Sequence, residues 1–144
     1  MKIKQVSVFL ENKVGHLRMV TEELKKANLN IRAISLADSE TFGVLRMVIE
    51  DPDKACEVLR AANHAVKETG VIAVEVPDKP GGLSEILKTL EDCGVNIEYM
   101  YSLLERKSDK AVMVFRVENT DEVIAKLKEQ DVTLLSSKEV YGAL

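Results

Sequence analysis

The sequence has 144 residues, is 46% hydrophobic and 31% charged, and carries a net charge of −4. That balance describes a folded, soluble chain rather than a disordered one, and no apolar run approaches the ~20 residues of a membrane span. Acidic and basic residues alternate along the chain, so the clustered Lys/Arg footprint that neutralises nucleic-acid phosphates is missing.

The first segment, Met1-Lys2-Ile3-Lys4, alternates charge with apolar residues and has no signal-peptide core, so the expected location is the cytoplasm. A strand follows, with Val6, Val8 and Leu10 pointing one way at period two. Leu17, Val20, Leu24 and Ala27 then recur at helical spacing, and Asn28, which tolerates a left-handed turn, is placed to stop that helix. Strands are predicted near Ile31–Ala37 and Val44–Glu50. A second helix opens at Asp51-Pro52, a capping residue followed by proline at the first helical position, with Val58 and Leu59 on its buried face. A last strand is expected near Ala65–Glu68.

The same order then repeats. At a shift of 66 positions Val8, Lys13, Gly15, Leu17, Leu24, Asn30 and Ile31 fall on Val74, Lys79, Gly81, Leu83, Leu90, Asn96 and Ile97. A two-residue insertion, assigned to a hairpin loop at Glu105–Lys110, moves the shift to 68, where Glu50, Asp53 and Leu59 meet Glu118, Asp121 and Leu127. A gap that falls in a loop is what a structural repeat should show. The second copy predicts a strand over Ile72, Val74 and Val76, and a helix on Leu83, Ile86, Leu87, Leu90 and Cys93 that is stopped by Gly94. Strands are expected at Ile97–Leu104 and Val112–Glu118, a helix opening at Asn119-Thr120 on Val123, Ile124 and Leu127, and a last strand at Leu134–Val140. The fold class is therefore α+β: two tandem ferredoxin-like βαββαβ units, at residues 1–69 and 70–144, with antiparallel sheets and helices on one face.

Chemistry concentrates in the two turns from first strand to first helix, Glu11-Asn12-Lys13-Val14-Gly15-His16-Leu17 and Pro77-Asp78-Lys79-Pro80-Gly81-Gly82-Leu83. Glycine lets the backbone approach a ligand closely, and a helix start offers N–H groups and a dipole to an anion. Asn12 and Asp78 can cap the helix or receive an ammonium group. A polar residue, a glycine and an apolar helix also make a plain helix start, so this reading stays open beside the ligand one.

At these residues the chain resembles the ACT-domain family, small βαββαβ regulatory modules that bind amino acids or related metabolites. The Asn/Asp-x-x-Gly-x-Leu turn, its helix and the Asn30-Ile31 and Asn96-Ile97 strand starts carry the resemblance, which covers nearly the whole chain. The first copy departs from it in having Val14 where the second has the more typical Pro80. The resemblance implies ligand sites where the turn of one unit faces the second strand of a neighbour. By position these take Asn12, Gly15, His16 and Leu17, and Asp78, Gly81, Gly82 and Leu83, with Ile31, Ala33, Ile97 and Tyr99 on the second strands. It also implies a small-molecule ligand and a separate enzyme or transporter as the regulated partner, while the edge strands of a ferredoxin-like sheet, which must be paired or covered, lead to the expectation of a homodimer.

No GxxxxGK[ST], HExxH or GxSxG pattern occurs, so neither catalytic residues nor a cofactor are expected. Cys56 and Cys93 sit singly in helical patterns and read as small core residues. The two histidines, His16 and His64, form no metal-spaced pair with them, so no metal is expected. His64 reads as a surface residue near a helix end. The βαββαβ order also builds RNA-recognition domains, which stack bases on central-strand aromatics; here Phe115 is the one aromatic on the two candidate strands. An assembly module without a ligand is the alternative to a sensor.

Overall fold

A computed structural model describes residues 2–38, 41–104 and 109–142. Its elements run β1 (Ile3–Glu11), α1 (His16–Lys26), β2 (Ile31–Asp38), β3 (Phe42–Ile49), α2 (Pro52–Ala61), β4 (Ala65–Pro77), α3 (Gly82–Asp92), β5 (Ile97–Ser102), β6 (Lys110–Val117), α4 (Thr120–Leu127) and α5 (Ser137–Tyr141). They form two compact units, Lys4–Thr69 and Gly70–Leu144 with Met1–Ile3.

In the unit Lys4–Thr69, β3 pairs antiparallel with β1 on one side and β2 on the other, with Val6 opposite Met47 and Val8 opposite Leu45. Strand alternation turns those four side chains to one face. There they pack with Val20 and Leu24 of α1 and with Ala55, Cys56 and Leu59 of α2. Both helices thus cover the same side of the sheet. The Asp51 carboxylate accepts the Lys54 N–H at 3.2 Å, and Pro52 occupies the first helical position. Starting there, the 3.6-residue period carries the buried seam through Ala55, Cys56 and Leu59 and leaves the expected Val58 only half-buried. Leu17 is likewise more open than its spacing suggested, at 38% exposed.

In the second unit, β6 pairs antiparallel with β4 and β5, with Ile72 opposite Phe115 and Val74 opposite Met113. Ile72, Val74, Val76 and Phe115 meet Ile86 and Leu90 of α3 and Val123, Ile124 and Leu127 of α4. The predicted helix stops form as expected. Asn28 (φ 57°) and Gly94 (φ 72°) take the left-handed turn, and the N–H groups of Leu29 and Val95 donate back to the carbonyls of Leu24 (3.0 Å) and Leu90 (2.9 Å).

Two strand predictions are corrected. The strands expected at Ala65–Glu68 and Ile72–Val76 are one 13-residue strand, β4, because Gly70 serves as a small residue and not as a break. Lys2 lies 2.9 Å from where a Gly70 Cβ would stand, and Arg116 Nη1 donates to the Gly70 carbonyl at 2.8 Å. The strand expected at Leu134–Val140 is reduced to a single antiparallel bridge, Leu134 with Val74. Beyond it Ser136 and Glu139 form a capping box: Glu139 N–H donates to Ser136 Oγ at 3.2 Å, and Ser136 N–H donates to the Glu139 carboxylate at 3.1 Å. That reciprocal pair starts α5, whose Val140 is buried. Of the expected loop at Glu105–Lys110, positions 105–108 lie outside the described residues. Cys56 is buried, Cys93 is half-buried, and both are free.

Candidate ligand-binding turns

Both strand-to-helix turns are built on one hydrogen-bond plan. Asn12 N–H donates to the Thr41 carbonyl (3.1 Å), Lys13 to Glu11 (2.9 Å), His16 to Lys13 (3.2 Å) and Met19 to Gly15 (3.0 Å). In the second turn Asp78 donates to Asp109 (3.2 Å), Lys79 to Pro77 (2.9 Å), Gly82 to Lys79 (3.0 Å) and Glu85 to Gly81 (3.0 Å). The plan ends on a glycine in the left-handed region, Gly15 at φ 87° and Gly81 at φ 85°, which any side chain would strain. These glycines are the N-caps, and no side chain caps either helix, so Asn12 and Asp78 do not fill the capping role their sequence positions suggested. The first N–H groups of a helix lack intrahelical partners. Here His16 and Gly82 spend theirs on the Lys13 and Lys79 carbonyls, the glycine N-caps offer no side chain to those that follow, and a Cβ built on Gly15 or Gly81 would meet nothing within 4 Å.

The neighbouring residues give the turns different surroundings. Lys13 Nζ lies 2.8 Å from the Glu11 carboxylate; the contact holds that carboxyl below its ordinary range and raises the Lys13 ammonium. Pro77 takes the place of Glu11 in the second turn, which therefore has no counterpart of this pair. Asn12 Nδ2 donates to Asp38 at 3.4 Å. Asn12, Gly15, Asp78 and Gly81 are exposed, while His16 and Leu83 are half-buried. Gly82, expected to offer backbone access, is buried instead, and a Cβ there would collide with the Pro77 carbonyl oxygen. Its small size serves the packing of α3 against the end of β4.

The second strands carry a matched irregularity. The register slips by one residue between Ile31 and Ala33 and again between Ile97 and Tyr99, leaving Arg32 and Glu98 as the extra residues of two equivalent bulges. Arg32 pairs with Glu50 at 3.4 Å, whereas Glu98 pairs with Arg116 at 3.2 Å, so the bulge residue is basic in one copy and acidic in the other and takes its partner from a different repeat position. Ile31, Ile97 and Tyr99 are half-buried and Ala33 is buried; the Tyr99 ring stacks on Tyr101 at 6.5 Å between centroids.

Within a unit the turn and the strand residues are not brought together. Glu11 stands opposite Phe42, and Asp38 opposite Gly43, at one end of the sheet; Ile31 pairs with Ile49 at the other. The seven-residue run between Asp38 and Ile31 spans roughly 23 Å at ~3.3 Å per residue. One small ligand cannot touch both. The turn end also carries features that the sequence reading passed over. Val14, Leu36 and Phe42 are exposed there, and His64 lines a cavity together with His16. Among the described residues no group of three or more His, Cys, Asp or Glu side chains is arranged to hold a metal ion, and no helix is long and apolar enough to cross a membrane.

A twice-repeated βαββαβ unit with a glycine-capped first helix defines the class of paired ferredoxin-like modules. The sequence matches the family model described as the ACT domain pair over residues 1–142, and the chain belongs to that family. The crystal structure of a protein from Bacteroides thetaiotaomicron is similar along both chains, at 43% identity, 99% coverage of this chain, 98% of that one and a TM-score of 0.92. The ligand-free regulatory subunit of aspartate kinase from Thermus thermophilus shares the fold at 12% identity, with 88% and 90% of the chains covered and a TM-score of 0.59. So does aspartate kinase from Synechocystis, at 24% identity and a TM-score of 0.57, where the match takes in 96% of this chain and 28% of that one. A comparison with curated proteins returns no match.

Proposed function

We propose that this chain is a non-catalytic regulatory module that binds an amino acid or a related small metabolite at its strand-to-helix turns. The observation that carries the reading is the pair of left-handed glycine caps with open space above them. A ligand carboxylate can accept N–H groups at the helix start, and its ammonium can meet Asn12 or Asp78. The two regions 1–69 and 70–144 each act as one ACT unit. Since Ile31, Ala33, Ile97 and Tyr99 lie far from the turn of their own unit, a site that uses them takes its second strand from a neighbouring unit. β2 lies at the edge of its unit's sheet, and an edge strand must be paired or covered. Exposed Leu36 and Phe42 flank its far end, which supports a homodimer. Such a cytoplasmic module signals through a separate enzyme or transporter.

The tighter site is assigned to the first turn, where Asn12 is neutral and His16 adds a donor, while Asp78 repels a carboxylate. The test is a calorimetric and thermal-shift screen of the common amino acids. A ligand at 100 times its dissociation constant adds about 2.7 kcal/mol of stability. Gly15→Val abolishes that response and Gly81→Val weakens it less. Gly15→Asn, which tolerates the left-handed turn but covers the backbone, separates lost binding from lost folding. A flat screen at millimolar concentration overturns the sensor reading in favour of an assembly module, and full affinity in folded Gly15→Asn removes the turn as the site.

A further inference from the structure

The two copies place a cavity at the same position: beside the end of the first strand, the first turn of the first helix and the turn that follows the second helix. In the unit Lys4–Thr69 its volume is about 420 Å³, within the size range of small-molecule pockets. Phe9, Met19, Asn63, His16 and His64 are among its lining residues. In the second unit the equivalent cavity, about 360 Å³, is lined by Glu75, Glu85 and Asp131. Those three residues stand at the repeat positions of Phe9, Met19 and Asn63, and Gly82 and Val132 replace the two histidines. One cavity has thus been kept in place while its lining changed: the second gains these three acids, has Pro77 in place of Glu11, and includes Lys110, which lies 3.5 Å from Glu75.

We infer that the first cavity is a second small-molecule site, for a carboxylic acid with an apolar tail. Both histidines of the chain line this one cavity, and with the Asn63 amide they supply hydrogen-bond donors. Glu11 is the one acid in the lining, and it is engaged by Lys13 at 2.8 Å. Phe9 and Met19 are 47% and 56% exposed, large apolar surfaces held open to water. Covering them recovers ~25 cal/mol per Å². A carboxylate at the imidazole end with an apolar tail along Phe9 and Met19 satisfies both features. In the second cavity Lys110 engages Glu75, but Glu85 and Asp131 keep the lining acidic and neither imidazole is present, which disfavours the same ligand. His16 is shared with the site proposed above, but Met19, Asn63 and His64 take no part in it, so the response of His64 and the effect of Met19→Glu distinguish failure of this proposal from failure of that one.

The experiment follows the two imidazole resonances of the full chain by NMR during titration with 3-phenylpropionate, 3-phenylpropionamide, acetate and zinc ion. The expected result is a saturable shift of both imidazoles by 3-phenylpropionate in the millimolar range, with the amide and acetate each at least ten-fold weaker. Two variants carry the second copy's residue, Met19→Glu and His64→Val. Each weakens the response at least ten-fold; Met19 is exposed, so Met19→Glu keeps the fold, which circular dichroism verifies. Gly15→Asn leaves the response in place. No saturable shift, equal shifts from the amide or from acetate, saturation by zinc in preference to the acid, or an undiminished response in Met19→Glu would each overturn the proposal.

Discussion

Gly81 and Gly82 are adjacent, yet opposite causes forbid a side chain at the two positions, and a crossed set of substitutions exposes the difference. At Gly81 the obstacle is torsional: φ is 85° and nothing stands within 4 Å of a built Cβ. Alanine there takes on the left-handed penalty of about 1–2 kcal/mol, offset in part by ~0.4–1 kcal/mol from a less flexible unfolded chain. Asparagine tolerates that region, as Asn28, Asn63 and Asn119 show at φ 57°, 67° and 51°, so Gly81→Asn costs less than Gly81→Ala. At Gly82 the obstacle is space, because a Cβ meets the Pro77 carbonyl oxygen. Alanine would gain up to ~1 kcal/mol in helix propensity but forces the backbone of α3 away from β4, at a cost of about 1–3 kcal/mol or more. Asparagine, being larger, makes that worse.

His16 stands at the repeat position of Gly82, so the transplant Gly82→His tests whether the second turn can open as the first does; the carbonyl collision predicts that it destabilises. Urea unfolding followed by circular dichroism measures all of these. With slopes of ~1–3 kcal/mol per molar, a 1 kcal/mol change moves the midpoint by roughly 0.3–1 M. If asparagine were no better than alanine at position 81, or better than alanine at position 82, the assignment of torsion to one site and space to the other would be refuted.

Burial, with help from Glu68, pushes the Cys56 thiol up to about 11. In the native protein Cys56 should therefore alkylate far more slowly at mildly alkaline pH than half-buried Cys93, as peptide mass mapping would show; equal rates would contradict this. Since folding raises that thiol above its ordinary value of 9.0, its contribution to stability is complete below pH 9 and declines as pH rises toward 11. Unfolding midpoints across that window measure the decline. Arg116 donates to the Gly70 carbonyl and to Thr120 Oγ1, at 2.8 and 3.2 Å, and pairs with Glu98. Arg116→Met should cost about 1–3 kcal/mol in unfolding free energy, and a cost within error of zero would show that water replaces these bonds. Ser136→Ala removes the cap of α5 at a cost of about 0.5–2 kcal/mol, and hydrogen exchange at the amides of Glu139 and Val140 should accelerate.

Periodicity revealed the βαββαβ order and the repeat because each unit buries one face per element, and one-sided burial leaves a period of two or 3.6 in the residues themselves. It misplaced the ends of the units for reasons equally physical. Gly70 looks like a break when φ is unknown, yet an extended glycine chosen for lack of a side chain reads the same as one chosen for a turn. Ser136-Ser137-Lys138-Glu139 carried a capping signature that the flanking apolar residues Leu134, Leu135 and Val140 concealed. At the candidate site, Gly15 and Gly81 could be singled out because their motif is local. The partnership of His16 with His64 could not: 48 positions separate them, and only the fold brings the turn after α2 beside the start of α1.

The copies also show which features the duplication held constant. The left-handed glycine caps, the hydrogen-bond plan of the turns and the one-residue bulge on the second strand are all present twice at equivalent positions. Each is a backbone device. The side chains around those devices did not stay alike. Phe9 against Glu75, Met19 against Glu85, Asn63 against Asp131 and Arg32 against Glu98 each change charge or polarity. Shared backbone requirements alone cannot explain such changes, because an exposed position that only supports the fold accepts many residues without any directed pattern. Around one cavity Phe9, Met19 and Asn63 give way to the acids Glu75, Glu85 and Asp131, while Glu11 gives way to Pro77, so the lining gains acid on balance. On the two proposals above, the turns would hold the chemistry common to both units, and the cavities behind them what distinguishes one unit from the other.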